Sequence, residues 1–126
     1  MKKLGIKSGA RVLLLHAPSG YLELLGELPA RVAIERERGA GAYDIAHGFF
    51  QWRADYEAEF ADLKAAIRVD GMVWISWYKK AAKMPTDITE DVVREVALAG
   101  GLVDVKVAAI DAQWSGLKLV VRKRDR

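Results

Sequence analysis

Short apolar runs separated by charge and glycine recur along this chain, and their spacing switches between the two periods that distinguish strands from helices. Residues 12–15, "VLLL", are continuously apolar, as expected of a strand covered on both faces of a parallel sheet. Pro18, Ser19 and Gly20 break the run, and "YLELLGELP" follows with Tyr21, Leu22, Leu25 and Leu28 at helical spacing up to Pro29. The stretch 31–35, "RVAIE", predicts a second strand and 43–50, "YDIAHGFF", a third. Beyond it Phe49, Trp52, Tyr56, Phe60, Leu63 and Ile67 recur every three or four residues, the strongest helical pattern in the chain, which Asp70 and Gly71 are expected to end. Residues 72–77, "MVWISW", read as another buried strand.

After the polar loop "YKKAAKMPTD", Thr89 is the expected N-cap of a helix over "EDVVREVALA". Glu90 and Asp91 suit the positive end of its dipole, and Gly100 and Gly101 close it. "LVDVKVAAI" alternates, with Asp104 and Lys106 on one side and Val103, Val105 and Val107 on the other. A turn at "DAQWSG", with Gly116 supplying positive φ and Ser115 bonding locally, leads to the strand "LKLVVR". The two strands are close enough in sequence to pair antiparallel.

Strand and helix in alternation imply an α/β fold, a three-layer Rossmann-like sandwich with a mostly parallel sheet of about five to six strands and a C-terminal antiparallel hairpin. The connection "RERGAGA", 36–42, is too short for a crossover helix, although seven extended residues at about 3.3 Å each can still recross a sheet. The pairing of the strand at 43–48 is left open by that connection.

Two resemblances carry the reading further. "LKAAIRVDGMVWISWYKK" resembles the fourth helix and fifth strand of a class I methyltransferase, and "EDVVREVALAGGLVDVKV" with the terminal hairpin resembles the rest of that fold. More closely, "LGIKSGARVLLLHAPSGY", "VWISWYKKA", "PTDITEDVVREVALAGGLVDVKV" and "DAQWSGLKLVVRK" are similar to a small bacterial family of domains of unknown function across nearly the whole chain. The resemblance implies a methyltransferase-like topology that lacks one helix–strand unit around 36–42.

The 126 residues, 52% hydrophobic and 9% aromatic, suit one domain, 1–126, with a modest core. No secretory h-region and no apolar run of membrane-spanning length is present, so the chain reads as soluble and cytoplasmic, without a membrane partner. Cysteine is absent, which removes disulfides and thiolate metal sites, and His16 and His47 are the only imidazoles, so no metal is expected. Residues 118–126 carry five cations against one acid, which leaves the rest of the chain at −1 of the +3 total. The basic end, 122–126, reads as a solvated tail in preference to a nucleic-acid tether.

Nucleotide and S-adenosylmethionine sites need glycines after the first strand so that backbone can approach the ligand. "HAPSGYLE" has only Gly20, with Pro18 and Ser19 where methyltransferases usually carry glycine, and Pro18 lacks an N–H donor. A proline-shaped turn capped by Ser19 is the expectation, with no cofactor. In an open α/β sheet, ligands sit beyond the carboxyl ends of the strands. The topology would gather Ser19, Gly20, Tyr21, Glu35, His47, Trp77, Lys79, Lys80, Asp111, Trp114 and Ser115 there, a candidate site for a small anionic or planar ligand. Against that, the tryptophans suit hairpin or core contacts and the lysines a solvated sheet edge. The resemblance implies a ribose contact for Glu35, which otherwise reads as a surface charge beside Arg36; His47 otherwise reads as a strand-end histidine satisfied by backbone. Neither Ser19 nor Ser115 sits in a nucleophile elbow.

The sequence therefore favours a non-catalytic or degenerate methyltransferase-like binding module without assigned catalytic residues. The alternative is an S-adenosylmethionine-dependent methyltransferase with an atypical first turn and a base drawn from His47 or Asp111. A homodimer through the helix bearing Trp52 and Tyr56 is also open.

Overall fold

Val12, Leu13 and Leu14 lie buried in an interior strand of a mixed sheet, as their unbroken apolar run requires. The computed structural model describes residues 4–126. The order is β1 (Arg11–Leu15), α1 (Tyr21–Leu25), β2 (Ala33–Glu35), β3 (Tyr43–Phe49), α2 (Arg53–Ala66), β4 (Ile67–Tyr78), α3 (Glu90–Ala99), β5 (Leu102–Ala109) and β6 (Trp114–Val121). Across the sheet the strands run β2-β1-β3-β4-β6-β5. The first four are mutually parallel, and β6 is antiparallel to both β4 and β5. This is the expected Rossmann-like sheet of methyltransferase-like topology, with β2 left as an edge because one helix–strand unit is missing.

Both long helices cover one face. Tyr56, Phe60 and Leu63 of α2 and Val93 and Ala97 of α3, spaced by three or four residues, pack on Ala46, Val73, Ile75, Leu117 and Leu119. Thr89 Oγ1 accepts the Val92 N–H at 3.2 Å and caps α3 as expected. The other face is covered more thinly, by α1 and the segment 4–10, which bury Val12, Leu14, Ile45 and Trp74. Among the described residues no helix reaches that face of the β5–β6 hairpin.

The connection at 36–42 recrosses β1 with no helix, and one side chain holds it. Arg11 Nε and Nη2 donate to the two oxygens of Glu35 at 2.7 and 2.9 Å, and Nη1 donates to the Ala40 carbonyl at 2.6 Å. The guanidinium lies 4.0 Å from the centre of the Tyr43 ring. The Tyr43 hydroxyl donates to Glu35 and accepts the Gly39 N–H, each at 2.8 Å. β3 consequently starts in register beside β1, which settles its pairing as parallel. The Glu35 carboxyl is held below the usual carboxylate range by Arg11 and then Tyr43.

Four expectations are corrected. The long helix stops at Ala66, and Ile67 to Gly71, including Asp70, already belong to the twelve-residue β4. Ile67 continued the helical period, but its backbone is extended and pairs with Tyr43. The first helix ends at Leu25 because Gly26 takes φ 68°, and its N-cap is Gly20 at φ 87°, so Ser19 does not cap it. The strand expected over 31–35 is paired only at Ala33–Glu35, with Arg31 at φ 60°. Gly116 lies inside β6, not in the turn; a Cβ there would stand 2.8 Å from Ile110 Cδ1 and 3.1 Å from the Trp74 ring.

Replacing Gly116 with alanine is expected to cost about 1–3 kcal/mol by overpacking, measured by urea denaturation. Arg11→Leu is expected to make residues 36–42 the first site of cleavage in limited proteolysis, while leaving the β4–β6 core protected.

Candidate functional site

The strand order reverses between β1 and β3, because the chain leaves β1 for β2 on one side and returns to β3 on the other. In open parallel sheets the crevice beyond the carboxyl ends of such a pair is the usual ligand site. A cleft of about 670 Å³ opens there, lined by His16 and Pro18 after β1, Phe49 to Trp52 after β3, Asp55 and Glu59 on α2, and Tyr78 and Trp114. Its volume falls in the range of small-molecule sites.

The walls are aromatic and fixed. Trp114 stacks on Tyr78 with ring centres 4.0 Å apart and meets Phe49 edge-on at 5.0 Å. The segment carrying Phe50, Gln51 and Trp52 is stitched to the loop before α3. Gln51 Nε2 donates to the Pro85 carbonyl at 2.7 Å, and the Thr86 hydroxyl donates to the Gln51 carbonyl. Asp87 Oδ1 accepts the Arg53 N–H at 2.6 Å, so α2 receives its N-terminal cap from another loop. Asp55 and Glu59 border the same space.

His16 closes one side of the cleft. It holds φ 59°, the left-handed region that disfavours most side chains, and its Nε2 donates to Glu59 Oε2 at 2.7 Å. Its ring meets Phe50 edge-on at 5.7 Å. Non-glycine residues persist in this backbone region when their surroundings over-determine them, and they cluster at ligand sites. Here Glu59 and Phe50 supply that restraint.

Of the residues expected at the sheet edge, Trp114 alone lines this cleft. Ser19 and Gly20 are exposed on the turn outside it. Glu35 is taken by Arg11 and Tyr43, not by Arg36. Trp77 is buried under the helices, and with Lys79 and Lys80 it borders a separate depression of about 370 Å³ beside Met84 and Thr89. Asp111 Oδ1 accepts the N–H groups of Gln113 and Trp114, both at 2.8 Å, which makes it the cap of the β5–β6 turn and not a base. Ser115 pairs with Trp77 and Ala109 within the sheet.

Tyr21 and His47 form a second polar group, sealed inside the thin layer. His47 is fully buried mid-strand, its Nδ1 2.8 Å from the Tyr21 hydroxyl and its Nε2 2.7 Å from Ser76 Oγ. Its partners are thus side chains, not backbone, and it has no access to a substrate. Phe49 stacks on the imidazole at 4.3 Å. Burial lowers the His47 pKa to about 3 and raises that of Tyr21, so both stay neutral and tie α1 to β3 and β4. Tyr56 is likewise buried and donates to the Val93 carbonyl at 2.9 Å, so it belongs to the core, whereas Trp52 at the start of α2 is exposed.

His16, Phe50, Asp55, Glu59 and Tyr78 were not marked by sequence pattern. The available signal was position, since His16 and Phe50 each follow directly on an apolar run. Among the described residues no cluster of three or more His, Asp or Glu is placed to hold a metal ion, and no helix is long and apolar enough to cross a membrane.

Because His47 is neutral when folded and protonates near pH 6.5 when unfolded, the unfolded chain binds the extra proton between about pH 6.5 and about 3. Its contribution to stability is complete above pH 6.5 and is lost as pH falls toward 3. The stability difference between the parent chain and His47→Gln is expected to change across that interval and stay flat above it, in denaturation curves recorded at several pH values.

No family model and no curated protein matches the sequence. Solved structures do. A methyltransferase dependent on S-adenosylmethionine from Aquifex aeolicus superposes with a TM-score of 0.66 at 17% identity, over 95% of this chain and 87% of that one. The magnesium protoporphyrin IX methyltransferase of Synechocystis with bound S-adenosylhomocysteine gives 0.63 at 11% identity, over 91% and 75%. An O-methyltransferase family 2 protein of Planctomyces limnophilus gives 0.69 at 10% identity, covering 91% of this chain and 50% of that one. The fold of this chain is the class I methyltransferase fold in a shortened form.

Proposed function

We propose that this chain is a methyltransferase-like ligand-binding domain whose cleft between β1 and β3 takes S-adenosylmethionine or a close relative. The observation that carries the reading is the cleft itself: an aromatic-walled space of about 670 Å³ at the point where the strand order reverses. Tyr78, backed by the buried Trp114, and the exposed Trp52 offer aromatic surface for an adenine ring, and Asp55 and Glu59 offer negative charge to a sulfonium or ammonium group. That charge pattern favours a planar, positively charged ligand over the anionic one that Lys79 and Lys80 suggested. Methyl transfer from a sulfonium needs in-line placement of acceptor and donor and no covalent help from the protein. His16, oriented by Glu59, is the imidazole placed to take a proton from an acceptor.

A second reading, a binding module that has lost this ligand, is favoured by three features of the first turn. Pro18 offers no N–H, α1 is five residues long and so has a weak dipole, and Glu35 is engaged by Arg11.

Thermal melting with and without S-adenosylmethionine separates the two. At about a hundred times the dissociation constant the ligand stabilises the native state by about 2.7 kcal/mol, a rise of several degrees in Tm. The shift is expected in the parent chain and reduced in Glu59→Gln and Trp114→Ala. An unchanged Tm at millimolar ligand would favour the second reading.

A further inference from the structure

The basic end of the chain joins a surface that sequence alone did not bring together with it. Lys106 of β5 and Lys118 of β6 are direct cross-strand partners. Two cations placed opposite each other concentrate positive charge at this point of the hairpin. Both lie on the face that carries Gly116 and Ala108, the face of the hairpin with no helix among the described residues. Val120 and Arg122 continue the alternation from Lys118 along the same side, at about 6.6 Å per step of two residues. Beyond them a short turn over Lys123–Asp125 carries Lys123 and Arg124, and Arg126 folds back so that its Nε donates to the Val121 carbonyl at 3.1 Å. Six cations thus follow one line. The acids beside them are Asp70, on the neighbouring start of β4, and Asp125, 4.0 Å from Arg124. Asp104, expected on the same side as Lys106, lies on the opposite face because the strand bulges between them, and Arg94 binds it there at 3.0 Å.

We propose that the helix-free face of the β5–β6 hairpin, continued by the basic C-terminal turn, binds the phosphate backbone of nucleic acid. Charge complementarity selects a polyanion, and the apolar groups on the face select among polyanions. Val103, Ala108 and Val120 are each half-buried, and the face bears no exposed aromatic ring. With Val105, at the bulge beside Lys106, as its exposed apolar side chain, it offers neither the aromatic anchors enriched in protein interfaces nor the large insertable side chains that hold a segment in a membrane surface. The same lack of stacking groups makes the contact electrostatic and indifferent to base sequence.

The test is fluorescence anisotropy of a labelled single-stranded DNA of about twenty nucleotides, titrated with the full chain at several salt concentrations. About four phosphate contacts give a slope of log affinity against log salt near −3. Lys118→Gln and Arg122→Gln are each expected to weaken binding several-fold and to flatten the slope by about 0.7, while Lys118→Arg retains it. Unchanged melting curves would confirm that the variants fold. Absence of salt-sensitive binding overturns the proposal. So does binding that survives both Gln substitutions and disappears only in Arg124→Gln with Arg126→Gln, which would assign it to the tail alone. Tighter binding to phosphatidylglycerol vesicles than to the DNA overturns it in favour of a lipid surface.

Discussion

The guanidinium of Arg11 is the interaction on which the shortened sheet depends. A parallel connection ordinarily uses a helix to cover the distance and to bury the strand it crosses. Here residues 36–42 cross β1 bare, and their backbone groups and the flanking Glu35 and Tyr43 converge on one side chain. With the crossing held, β3 lies beside β1 and the strand order reverses between them. The cleft is a consequence of that reversal, since it opens where α1 and α2 diverge from adjacent strand ends.

Two histidines show how burial divides polar groups into supports and contacts. His47 has both ring nitrogens engaged, no exposure and a pKa pushed down to about 3, so it is a neutral brace between α1, β3 and β4. His16 is exposed, sits on strained backbone and has one nitrogen engaged by Glu59. Of the two, His16 is the one that borders the cleft at the sheet edge. The charge of the molecule is divided in a similar way: carboxylates of α2 border the cleft, while the cations collect along β6 and the C-terminal turn, at the other end of the strands.

The fold was legible in the sequence because its strands are short apolar runs with clear breaks and because α3 carries its own caps in Thr89, Gly100 and Gly101. The boundary between α2 and β4 was not, since Ile67 fits the helical period and no proline or glycine interrupts the chain until Gly71. Gly116 was misread because glycine after serine suggests a turn, whereas its role is to let Trp74 and Ile110 approach the strand. The candidate site was mostly illegible for a related reason. Glu35, His47 and Asp111 are residues of the right chemical type on or just after strands, yet Arg11, Tyr21 and the Gln113 backbone occupy them, and such long-range or turn-specific partners leave no periodic trace. Trp52 and Phe49 were absorbed into a helical pattern, and with them went the wall of the cleft.

The central claim is that the crevice between β1 and β3 is the ligand site of this fold, and it is tested most directly by mapping chemical shifts on an isotope-labelled chain titrated with S-adenosylmethionine. The account predicts perturbations concentrated at His16, Phe50, Trp52, Glu59, Tyr78 and Trp114, with Tyr21 and His47 responding little. Saturable shifts confined to the depression beside Lys79 and Lys80, or no saturable shifts at millimolar ligand, would contradict it.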